Sequence, residues 1–108
     1  MFTINGMDWR VYLVSPTHPI LEKNGTYALG CCDSWDRKIY INDMLNTYYT
    51  KKVLCHEIVH AAMYSYNIIL TYDEEETIAE LITNFGEEII ELTNKLYFKV
   101  AIRYPLFP

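Results

Sequence analysis

Positive charge is scarce in this chain: nine Lys and Arg stand against fourteen Asp and Glu, a formal charge of −5 over 108 residues. Nothing in it forms the basic stripe that neutralising a phosphate backbone requires, so direct nucleic-acid binding is not expected. Cysteine is equally sparse. Cys31 and Cys32 are adjacent and Cys55 sits in an apolar run, which is not the even, spaced set of a small disulfide scaffold; a reducing, cytoplasmic setting is the expectation. Long apolar runs are missing too. The tail from Tyr97 to Pro108 is broken by Lys99, Arg103 and two prolines and is far too short to span about 30 Å of hydrocarbon, so no membrane partner is expected. The opening MFTINGMDWR lacks a basic segment followed by an apolar one, and predicts no secretory leader. Gly and Pro, four each, are too few for linkers or low complexity, and the length suits one domain over residues 1–108.

What the chain has in quantity is apolar and aromatic residues, among them ten Tyr. Their arrangement changes along the sequence. Trp9 to Val14 is rich in β-branched and aromatic residues and stops at Ser15-Pro16. Pro19 and Asn24-Gly25 punctuate a loop, Thr26 to Cys31 is a second strand-like run, and Lys38 to Ile41 alternates polar with apolar. Residues 1–42 therefore predict a small, mostly antiparallel sheet. From Asn42 or Asp43, either a suitable N-cap, to Tyr66 there is no Gly or Pro, which predicts a helix over residues 43–66. Its second half, Val53 to Tyr66, is apolar on nearly every side and should be buried. After a short connection a second helix is expected over residues 73–96, with Ile78, Leu81, Ile82, Phe85, Ile89, Leu92 and Leu96 on one stripe whose phase survives across Gly86. Residues 97–108 read as an arm or a further strand. The class is α+β.

The ionisable residues of the buried helix spell His56-Glu57-Ile58-Val59-His60. Residues four apart lie one turn above each other, so both imidazoles can reach one ion at about 2.0 to 2.1 Å. Glu57, about 100° round the helix, is placed beside that ion rather than on it. There it can take a proton from an activated water and return it to a leaving amine, a general base turned general acid. Three ionisable side chains in an apolar helix cost several kcal/mol if unpaired, and a Zn2+ site satisfies them together.

A catalytic zinc needs a third protein ligand. His18, in a Pro-flanked loop, reads as a surface residue. Glu74, Glu75, Glu76 and Glu80 open the second helix; Glu76 is the leading candidate, with Glu75 its rival, and Glu80 is placed to accept the outer N–H of a ligating imidazole. Two caps compete for this helix start. Asp73 with Glu76 would make Glu76 structural, whereas Thr71 with Glu74 would leave it free. Cys55 reads as a small buried hydrophobe, and Tyr64, Tyr66 and Tyr72 are candidates, none singled out, for stabilising an oxyanion.

The motif His-Glu-Ile-Val-His followed by Glu76-Thr-Ile-Ala-Glu80 resembles the gluzincin pattern, and the order of elements is similar to small phage and prophage ImmA/IrrE-like metallopeptidases over about Tyr40 to Glu91. The last motif position, usually Asp or Asn, is Glu80 here. The resemblance implies a zincin-like hydrolase: a zinc endopeptidase with His56, His60 and Glu76 as metal ligands, Glu57 as catalytic residue and a peptide or protein as substrate. It also implies a substrate-binding strand ahead of the active-site helix, the position of Lys38 to Asn42, which can equally be an edge strand blunted by Lys38. The alternative is a zinc-binding regulatory or interaction module that uses the same metal without turnover.

Overall fold

In the computed structural model, which describes residues 1–103, two Asn-Gly pairs set the hairpins. Asn5 and Gly6 both have left-handed backbone, φ 47° and 77°, the geometry of a tight primed turn, and fold β1 (Phe2–Ile4) antiparallel onto β2 (Met7–Val14). Asn24 and Gly25, φ 52° and 82°, do the same for β3 (Glu22–Lys23) and β4 (Thr26–Tyr27). The strand expected over Thr26 to Cys31 is thus divided. Ala28 leaves the hairpin to donate its N–H to the Leu21 carbonyl at 2.8 Å, and β5 (Gly30–Asp33) starts afresh.

The main sheet has the order β1-β2-β6-β5, where β6 is Lys38–Asn42. β6 pairs antiparallel with β5 but parallel with β2, so two of the three pairings are antiparallel and the sheet is mixed. This corrects the expectation for Lys38 to Asn42: β6 is interior, with both edges paired, and β1 and β5 are the edge strands.

Helix α1 (Thr47–Ser65) starts later than expected because Asn46, not Asn42 or Asp43, is its cap; the Asn46 side chain accepts from the Tyr49 N–H. Asn42 is committed to β6 and its Oδ1 accepts the Met44 N–H at 2.8 Å, while the Asp43 N–H donates to Val14. α1 is covered on two sides. Toward the sheet, Ala61 closes a core with Trp9, Ile39 and Ile41; toward the second helix, Val59 and Met63 meet Ala79. The Trp9 indole N–H donates to Ser65 Oγ at 2.8 Å, and Asn5 Nδ2 donates to the Ser65 carbonyl, fixing the sheet to the end of α1. Burial is not complete around its last turns, since Tyr64 and Tyr66 are exposed.

Helix α2 (Tyr72–Arg103) opens on a reciprocal cap: Thr71 Oγ1 accepts the Glu74 N–H and Glu74 Oε1 accepts the Thr71 N–H. The cap is therefore Thr71 with Glu74, and Glu76 is free of it. The helix passes Gly86 without interruption, as the stripe implied, but runs past residue 96. Tyr97 to Arg103, read from the sequence as arm or strand, continue it, there being no Gly or Pro before Pro105; residues 104–108 lie outside the described residues. Of the expected apolar stripe only Ile78 packs into a core; the six residues from Leu81 to Leu96 are each 41–53% exposed. Among the described residues no helix is long and apolar enough to cross a membrane.

Candidate metal centre

One helical turn stacks His56 over His60, ring centroids 5.0 Å apart, and the returning α2 brings Glu76 against both. His56 Nε2 is 3.3 Å from Glu76 Oε2, and His60 Nε2 is 2.8 Å from Glu76 Oε1. All three ligand atoms lie within 4.8 Å of one another. Ligands about 2.0 to 2.1 Å from one tetrahedral ion are about 3.3 Å apart, close to the two imidazole–carboxylate contacts, each of which uses a different Glu76 oxygen. The donor set, two imidazoles and a carboxylate, can hold a metal ion.

The other ring nitrogens are engaged as well. His60 Nδ1 is 2.6 Å from Glu75 Oε1, and His56 Nδ1 is 3.5 Å from Glu80 Oε1. The Glu75 carboxylate accepting from His60 Nδ1–H keeps that ring's Nε2 lone pair for a metal and orients it toward Glu76. Glu75, the rival ligand, thus sits behind His60, and Glu80 lies near the outer nitrogen of His56 without a hydrogen bond to it.

Glu57 is only 7% exposed and its side chain lies against β5. The approach is so close that a Cβ on Gly30 would fall 2.6 Å from Val53 Cγ1 and 3.2 Å from Glu57 Oε2. Burial pushes the Glu57 carboxyl above its ordinary value, and the neighbouring His56, His60 and Lys23 partly oppose that rise. A raised carboxyl is the stronger base, and it sits beside the candidate ligands.

These groups line an open cleft of about 720 Å³ between β5, α1 and α2. Several of its lining residues have no reading in the sequence, Lys23, Tyr49 and Gly30 among them. Lys23 comes from the β3–β4 hairpin and Tyr49 from the first turn of α1, with no local pattern to mark either. Gly30 did carry a signal, since glycine inside a strand often marks close backbone approach. Of the three tyrosines considered as oxyanion partners, Tyr72 lines the cleft, Tyr64 stacks edge-on against Trp9, and Tyr66 forms the C-cap of α1.

His18 is far from this group in role as well as in sequence. Its Nδ1 accepts the Ile20 N–H and caps a short 3-10 turn, Pro19–Leu21. All three cysteines are free. Cys55 is half-buried on the flank of α1 facing away from the cleft, not in the core. Cys32 lines the cleft, but burial pushes its thiol up to about 12, with Glu57 adding to the rise, so the free side chain is a neutral thiol.

No protein-family model, curated protein or solved structure matches this chain significantly, so its functional reading rests on the site itself.

Proposed function

We propose that this chain is a zinc-dependent metallopeptidase acting as an endopeptidase on a peptide or protein in the cytoplasm. His56, His60 and Glu76 hold the metal, and Glu57 is the catalytic base. The observation that carries the reading is the convergence of both Nε2 atoms on one carboxylate beside a buried Glu57, in a cleft open to solvent. Bound zinc supplies Lewis-acid polarisation of a carbonyl and brings water toward a pKa of about 7.

The chain's own residues supply the remainder. Glu57 Oε accepts the proton that water loses on attack and delivers it to the departing amine, and burial, which raises its carboxyl above the ordinary value, makes it a stronger base. Gly30 lets the β5 backbone press against that carboxylate and excludes water from one side of it. Glu75 fixes the His60 tautomer, and Glu80 lies beside His56 Nδ1. The outer edge of β5 has no strand neighbour among the described residues, and an extended peptide fits there by main-chain hydrogen bonding.

A second reading keeps zinc and drops turnover. The apolar core between α1 and α2 is small, Val59, Met63 and Ala79 with Leu70 and Ile78 packed against them, and a metal joining the two helices would add to it. The experiment that separates the two compares zinc-loaded wild type with Glu57→Gln on a peptide library. The peptidase reading expects cleavage by wild type, abolished in a variant that retains zinc. Full zinc retention with no cleavage by wild type favours the binding module.

A further inference from the structure

Six apolar residues of α2, Ile78, Ile82, Phe85, Ile89, Leu92 and Leu96, succeed one another at intervals of four, three, four, three and four. That is the spacing of a heptad seam, with Ile82, Ile89 and Leu96 at a and Ile78, Phe85 and Leu92 at d. A seam of this kind is built to meet another helix. α1 is the one element packed extensively on α2 among the described residues, and it covers only the start of this row. From Ile82 onward each seam residue is 41–53% exposed. Lone exposed apolar residues are ordinary, but a continuous stripe along one helix marks an interface. α2 also outruns the rest of the chain: its 32 residues span about 48 Å, against a longest molecular dimension of 55 Å.

The residues beside the seam identify the occupant. The g positions include Glu88 and Lys95, and the e positions include Gly86 and Thr93. In an antiparallel pair of identical helices, a faces d and g faces g. When Ile89 faces Leu92 of a second copy, Phe85 faces Leu96, and Glu88 falls opposite Lys95. Two-fold symmetry repeats each contact, so two opposite-charge pairs flank the apolar layers on one side. On the other side Gly86 faces Thr93, small residues that permit close approach. A parallel pair instead sets Glu88 against Thr93, and sliding the antiparallel pair by one heptad sets Glu88 against its own copy. Charge complementarity therefore favours this arrangement, in which the next d residue, Lys99, lies opposite Ile82 and closes the apolar seam at its end.

We propose that this chain forms an antiparallel homodimer through the α2 seam, in the register that pairs Glu88 with Lys95 of the second copy. At about 100° per residue, Glu76 and Glu80 lie on roughly the opposite face of α2, so both metal clefts stay open. The dimer does not depend on the function proposed above.

Sedimentation velocity of the full chain over a range of concentrations, with and without chelator, tests this. The expected result is a dimer whose dissociation constant is the same in both conditions, and which Ile89→Asp converts to a monomer with unchanged helical circular dichroism. Glu88→Lys and Lys95→Glu, at exposed positions that folding tolerates, should each weaken the dimer roughly tenfold, and the double variant should recover most of that loss. A monomer at every concentration, or a dimer that ignores Ile89→Asp, overturns the proposal. Charge reversals without effect, or without recovery in the double variant, overturn the antiparallel register.

Discussion

His60 Nδ1 lies 2.6 Å from Glu75 Oε1, on the side of the imidazole away from Glu76. The contact divides two neighbouring glutamates into different roles, one facing the candidate metal position and the other holding the ring that faces it. Glu75→Gln should therefore keep the site but weaken zinc binding on the order of tenfold to a hundredfold, the usual effect of losing an outer partner of a ligating histidine. Competition with a chromogenic chelator measures it. Glu75→Gln weakening zinc more than Glu76→Ala does would reverse the two roles.

Gly30 is a packing requirement of Glu57. A methyl at this position meets Val53 Cγ1 at 2.6 Å, too close for any real contact, so Gly30→Ala must displace the Val53 side chain or the β5 and α1 backbones that carry the pair. A loss of about 1 to 3 kcal/mol in stability is expected from overpacking, with peptide cleavage reduced further by displacement of Glu57. Denaturant melts and cleavage rates on the same variant check both halves, and an unchanged Gly30→Ala protein would show that β5 does not seat Glu57.

The cap of α2 makes a pH-dependent prediction. Hydrogen bonds from the Thr71 backbone and hydroxyl hold the Glu74 carboxyl below its ordinary value of 4.5. A carboxyl lowered by folding stabilises the protein above its unfolded pKa, and that contribution is lost as pH falls through the folded value. The stability difference between wild type and Glu74→Ala should hold steady at neutral pH and shrink in acid below 4.5. Melting temperatures across that range decide it; a gap that widens in acid contradicts the assignment.

Ser65 is the buried acceptor of the Trp9 indole N–H. Ser65→Ala leaves that donor unsatisfied and should cost about 1 to 3 kcal/mol while zinc affinity is unchanged, because the residue lies five beyond His60 at the far end of α1. A parallel loss of zinc binding would mean that the Trp9 anchor positions the metal ligands.

The legibility of this chain in its sequence follows the range of the interactions. His56, Glu57 and His60 are one helical turn, so their geometry is contained in five residues, and Glu76 returns to them after a short connection. The α+β class and the passage of α2 through Gly86 also follow from local periodicity. The parallel pairing of β2 with β6 does not, because it joins strands separated by a hairpin and β5. Lys23 reaches the cleft through the same long crossover. The start of α1 was misplaced because Asn42 and Asp43 have cap chemistry but are held by β6 and Val14. The stripe on α2 was visible as periodicity, while its exposure depends on how little of α2 the rest of the chain covers.

The most direct measurement of the central claim is zinc stoichiometry and affinity by equilibrium dialysis, for wild type, His56→Ala, His60→Ala and Glu76→Ala. One zinc per chain is expected in the wild type, with a large loss of affinity in each variant. Wild type that takes up no zinc, or a Glu76→Ala protein that binds it as tightly as wild type, would contradict the claim.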